Sequence, residues 1–176
     1  MLIGSYAAKL RGILPAWRQG HVGDIDMVAS EAVARSIAAA LGTQYREHAP
    51  GRCYLSGRID IDLRGHLIEH VIHICDPVTI DIHGCAMAAL LPHSELIVAM
   101  RQASWNAVPG SERKALADLD GFARLRLQST AALIDLAAIF RRPGSTNIRP
   151  TNGWASNDAS PSDIQTQRVS VTSTEW

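Results

Sequence analysis

Residues 58–83 read RIDIDLRGHLIEHVIHICDPVTIDIH, three short β-branched stretches separated by Arg64-Gly65 and Asp76-Pro77. Side chains of this type suit a pleated, half-buried surface, and both dipeptides have the chemistry of tight turns. The pattern predicts an antiparallel meander over residues 53–63, 67–75 and 78–83. A two-residue first turn sets Ile61 against Ile68 and Ile59 against His70; a three-residue second turn sets Ile74 against Ile80 and Ile72 against Ile82. The two registers agree, because they gather Ile59, Ile61, Leu63, Ile68, Ile72, Ile74, Ile80 and Ile82 on one face. The other face then carries Arg58, Asp60, Asp62, Glu69, Val71, His73, Asp81 and His83, with Asp60 opposite Glu69 and His73 opposite Asp81.

Helical periods flank this segment. Tyr6, Leu10, Ile13, Leu14 and Trp17 share one side of a helix expected over residues 5–17, weakened at Pro15. A second helix is expected over residues 27–41, capped by Asp26 and stopped by Gly42. Its alanines suit close packing. His48-Ala49-Pro50-Gly51 marks the passage from helix to sheet. After Gly84 the run CAMAALL fits either a strand or a helical turn. A helix over about 94–104 follows, and a long one over 112–140 begins at the cap Ser111, with Gly121 bending or interrupting it at a cost of about 1 kcal/mol.

The fold class expected is α+β: a small antiparallel sheet of three or four strands packed with helices, in one compact domain over residues 1–142. The chain has 47% hydrophobic residues, enough to build one such core. From Pro143 the composition turns to Ser, Thr, Asn and Pro, so residues 143–176 are expected to be a flexible polar tail, with Trp154 and Trp176 as exposed residues or docking anchors.

Seventeen basic residues balance seventeen acidic ones, so no global field attracts a phosphate backbone or an anionic bilayer. The basic residues of the 124–126 and 141–142 pairs are too dispersed for a nucleic-acid surface. Glycines form no phosphate-binding fingerprint. The longest apolar run, residues 85–92, is far shorter than a bilayer span, and the first twenty residues make a poor secretion signal. Cys53, Cys75 and Cys85 match no redox or zinc spacing, which points to a reducing cytoplasm.

Chemistry is expected, if anywhere, on the polar sheet face. Asp60, Asp62 and Glu69 are the candidate metal ligands, since oxygen donors suit magnesium or manganese and such an ion activates water. Asp60, Glu69, His73 and Asp81 are the candidate catalytic set. No lysine falls between Lys9 and Lys114 to complete a nuclease-like site. Ordinary solvated sheet residues explain the same pattern. A helical reading of residues 66–75 would instead align His66, His70 and His73 for a metal such as zinc, against the β-branched content of the segment. Cys75 is expected to be structural rather than a nucleophile paired with His73.

The reading that uses most features is non-catalytic: a protein-binding, adaptor or regulatory protein acting through an exposed sheet face or the C-terminal helix. Its partner is another protein or its own copy, as a homodimer. A metal-dependent hydrolase or nuclease is the alternative. No organic cofactor is expected; a divalent cation is the one cofactor the acidic face would accept.

Overall fold

A computed structural model describes residues 1–15, 18, 20, 22–105 and 112–141. The architecture is mixed α+β. The expected tail, with Trp154 and Trp176, lies outside the described residues, as does Trp17.

Among the described residues five strands form the main sheet: β1 (Leu2–Ile3), β2 (Ile25–Val28), β3 (Glu47–Ala49), β4 (Arg52–Leu55) and β5 (Ile59–Asp62), in the order β1-β2-β5-β4-β3. The pairings are antiparallel except for β2 with β5, which run parallel with Met27 beside Ile61 and Asp26 beside Asp60. Residues 53–63 are therefore not one strand but the hairpin β4–β5. Its turn is made by Ser56 and Gly57, whose φ angles of 49° and 67° are ones that Gly adopts without strain. The helix expected over 27–41 loses its start to β2, because the alternation Ile25-Asp26-Met27-Val28 is read as strand. Ser30, not Asp26, caps the shorter α2 (Glu31–Ala40), its hydroxyl accepting from the Val33 N–H. A crossover from β2 through α2 brings the chain back to pair beside β2.

The largest departure lies at residues 66–75. They form two 3-10 helices, Gly65–His70 and Ile72–Ile74, in place of the expected central strand. The segment HLIEHVIHI carries two periods at once: Ile68, Ile72 and Ile74 suit alternation, whereas Ile68, Val71 and Ile74 recur every third residue, the repeat of a 3-10 helix. The second set wins. Val71 is fully buried with Ile68 and Ile74 packed in the same cluster, while Ile72 remains 53% exposed. Gly65 anchors the entry to this segment, for a Cβ there would lie 2.3 Å from the Ser30 backbone nitrogen.

The rest of the isoleucine-rich stretch forms a separate two-stranded ribbon, β6 (Cys75–Ile82) with β7 (Cys85–Pro92). Asp76-Pro77 lies inside β6. The turn is His83-Gly84, with φ of 54° and 81°, the geometry that matches the natural twist of a two-residue hairpin. Ile80 and Ile82 from this ribbon join Ile59, Ile61, Leu55, Cys53, Met27 and Leu2 from one face of the main sheet, and Ala34, Ile37 and Ala38 from α2, in the principal core. Burying an isoleucine in such a core stabilises the fold by about 1.5–3 kcal/mol.

α1 (Gly4–Leu10) is shorter than expected, ending before Gly12 at φ +68°. α3 (Ser94–Trp105) matches its expected position. The long helix expected over 112–140 is divided into α4 (Glu112–Arg124) and α5 (Ala131–Ala137), followed by a 3-10 turn at Ala138–Phe140. Arg126 at φ 57° and the Thr130 cap of α5 make the break. Gly121 does not interrupt α4, which runs through it; it permits close approach to Pro15, whose Cγ would stand 2.4 Å from an added Cβ. Leu96, Ala99 and Ala103 of α3 meet Ala137 of α5, Val28 of β2 and Val71 in a second core.

Candidate functional site

Loss of the central strand separates the residues of the expected polar face. Asp60 and Asp62 do share one side of β5 by alternation, but each is engaged by an arginine. Arg52 on the neighbouring strand donates through Nε to Asp60 Oδ1 at 3.1 Å and forms a second, Nη2–Oδ2 contact. Arg64 donates to Asp62 through Nη2 at 2.7 Å and reaches the carbonyl oxygens of Phe140 at 2.7 Å and Arg141 at 3.1 Å, tying the sheet to the end of α5. Glu69 and His73 are exposed on the 3-10 helices, and Asp81 is exposed on the ribbon, where it accepts from the Gly84 N–H at 3.0 Å. The register that set Asp60 opposite Glu69 and His73 opposite Asp81 is corrected accordingly: the partners of Asp60 are Asp26 and Tyr54, and that of Asp81 is Ala86. Among the described residues no group of three or more His, Cys, Asp or Glu is placed to hold a metal ion. The same holds for His66, His70 and His73, since three residues per turn does not stack positions four and seven apart.

The three cysteines are free thiols. Burial pushes the thiols of Cys53 and Cys75 up from their ordinary pKa, and the Cys75 thiol donates to the Val71 carbonyl at 3.3 Å, a structural arrangement without a histidine partner in it.

Two ionic groupings carry no local signal in the sequence. Arg11 donates to Asp76 Oδ2 at 2.7 Å and to the carbonyls of Leu91 and Pro92, clamping the base of the ribbon. His93 lies 3.3 Å from the other Asp76 oxygen. Deeper in the fold, Asp118 receives Arg18 on one oxygen and Arg101 on the other, the latter at 2.9 Å. These partners are up to 100 residues apart in the chain; only tertiary structure brings them together.

The ribbon is the feature with an unused bonding surface. A two-residue turn closes on a pair that exchanges both backbone bonds, so Ile82:Cys85, Ile80:Met87, Val78:Ala89 and Asp76:Leu91 are the bonded pairs. Their side chains include the ones packed in the core. The intervening pairs, Asp81:Ala86, Thr79:Ala88 and Pro77:Leu90, turn their backbone polar groups to the outer edges; the side chains of Asp81, Ala86, Thr79 and Ala88 are exposed, while Leu90, near the base of the ribbon, packs against the second core. Among the described residues the sheet has only these two strands. The β6 edge is blunted by Pro77, which has no N–H, and by the charged Asp76 and Asp81. The β7 edge, CAMAALLP, has no charge along its length. Natural proteins usually protect such an edge with charge, proline or a covering element. Ala86 and Ala88 are instead exposed.

No protein-family model, curated protein or solved structure matches this chain. Among the described residues no helix is long and apolar enough to cross a membrane.

Proposed function

We propose that this is a non-catalytic protein-binding or regulatory protein whose recognition element is the outer edge of β7. The single observation behind this reading is an uncharged, solvent-facing strand edge in a sheet of two strands. Strand addition uses such edges: main-chain hydrogen bonds supply affinity and alternate side chains supply selectivity.

The occupant is a second copy of the chain. A two-fold axis pairs an edge with a second copy of itself, so an edge that carries only acids meets only acids; self-pairing therefore favours an edge without charge, as β7 is and β6 is not. Antiparallel pairing centred on Ala88 would set the N–H groups of Ala86, Ala88 and Leu90 against the carbonyls of Leu90, Ala88 and Ala86 of the second copy. The small, exposed side chains of Ala86 and Ala88 would lie on the new four-stranded surface. The three free thiols support a reducing, cytoplasmic setting.

Sedimentation of the full chain over a range of concentrations tests the reading. Reversible dimerisation that Ala88→Pro weakens by about tenfold or more supports it, because the substitution deletes an outward donor. A monomer at all concentrations, or a dimer indifferent to Ala88→Pro, contradicts it. Binding of an extended strand from a different protein to a monomeric chain would keep the edge but replace the occupant.

A further inference from the structure

Between α1, α3, α4 and the turn after α5 lies a cavity of about 140 Å³. Leu14, Met100, Phe122 and Phe140 give it an apolar wall, and Arg101 and Arg141 supply its cationic side. An engineered apolar cavity of about 150 Å³ accommodates benzene, so the space here suits one aromatic ring or an aliphatic group of similar bulk.

Among the described residues the charges around it do not balance. Asp118 is 1% exposed and answers two guanidiniums, Arg18 on Oδ1 and Arg101 on Oδ2. Arg18 spends a further donor on the Ser5 hydroxyl at 2.7 Å. Arg101, still 23% exposed, has five N–H donors, and among the described residues its one close partner is Asp118. Burial holds its guanidinium below the usual arginine pKa; Asp118 opposes that effect, Arg18 reinforces it, and the charge of Asp26 on β2 opposes it more weakly. Arg141 adds a third guanidinium, bonded to the Ala103 carbonyl at 3.4 Å. Asp62 does not compensate, because its carboxylate is engaged by Arg64. Among the described residues three guanidiniums thus face two carboxylates, Asp118 and Asp26, and Arg101 and Arg141 bring donors to the cavity wall.

We infer that this cavity is a binding site for a small amphiphilic monocarboxylate: a single ring or a compact branched chain seated among Met100, Phe122 and Phe140, with its carboxylate on Arg101 and Arg141. One anionic charge completes the cluster, and a planar carboxylate matches the guanidinium fork. This site is separate from the β7 edge, and neither reading depends on the other.

Calorimetric titration of the full chain with benzoate, benzamide and benzylamine tests the inference. Benzoate is expected to bind with a dissociation constant below about 1 mM, and the two uncharged or cationic analogues at least about tenfold more weakly, the weight of one charge-assisted hydrogen bond. Arg101→Gln is expected to weaken benzoate by about tenfold or more. Arg141 is exposed, so Arg141→Gln reports on the same contact should Arg101→Gln fail to fold. Equal affinity for benzoate and benzamide, no benzoate binding at millimolar concentration, or benzoate affinity unchanged in a folded Arg101→Gln or Arg141→Gln protein would overturn the assignment.

Discussion

Ala88 lies opposite Thr79 in the ribbon, and among the described residues no third strand pairs with either of them. One residue along, Ala89 turns its backbone inward to Val78. Two prolines separate these roles. Ala88→Pro is expected to leave the monomer folded and to lower only its association, whereas Ala89→Pro removes an inner ladder bond and should cost about 3 kcal/mol of stability or more. Urea unfolding of the two variants, at protein concentrations below the association range, distinguishes them; equal destabilisation would mean that the pairing pattern of the ribbon is wrong.

Ile61 is fully buried at the centre of β5, between Met27 and Cys53 on the adjoining strands. Ile61→Ala is expected to destabilise the fold by about 2–5 kcal/mol, through lost burial and the cavity left behind. Chemical denaturation measures this directly, and a loss under about 1 kcal/mol would place the residue outside the core.

Gly65 and Gly23 provide a matched pair. A Cβ at Gly65 meets the backbone of Ala29 and Ser30, which has no flexible end to move aside, while nothing among the described residues lies within 4 Å of one at Gly23. Gly65→Ala should therefore cost about 1–3 kcal/mol by overpacking. Gly23→Ala should be within about 0.5 kcal/mol of the parent. Thermal melts of both variants check the contrast.

The hydrogen bond from Arg11 holds the Asp76 carboxyl below its ordinary pKa, assisted by His93. A folded pKa lower than the unfolded one contributes stability that is present above the unfolded value and lost as pH falls through the folded value. Titration of the Asp76 carboxyl carbon by NMR should show a midpoint below the usual carboxylate range, moving up toward it in Arg11→Met. Because Asp76 is half exposed, the accompanying change in acid stability should be small. An unchanged Asp76 midpoint in the variant would show that Arg11 is not the cause.

Much of the fold could be read from local chemistry, and the misreadings have physical causes. Ile59 and Ile61, and likewise Ile80 and Ile82, alternate with acids and enter the core as strand residues should. HLIEHVIHI misleads because isoleucines at both second and third positions satisfy two periods, and contacts with Leu96 and Ala99 of α3, in the same cluster as Val71, decide between them. The Asp26 strand resembles a helix start because an aspartate before an apolar stretch is a good cap; its parallel pairing with β5 is a long-range property. Asp60 and Asp62 were readable as a paired acidic face, but Arg52, which occupies Asp60, lies on a hairpin partner that the expected meander did not contain, and Arg64, which occupies Asp62, was read only as part of a tight turn. Neither the Arg18–Asp118–Arg101 group nor the open β7 edge has a signature in its neighbouring residues.

Amide hydrogen exchange resolved along β7 tests the central claim most directly, since it reads each backbone donor separately. The N–H groups of Met87 and Ala89 should be protected at every concentration, while those of Ala86, Ala88 and Leu90 should exchange freely in dilute protein and become protected as it is concentrated. Free exchange at Ala86, Ala88 and Leu90 in concentrated protein, or protection already complete in the dilute monomer, would contradict an open edge that pairs with its own copy.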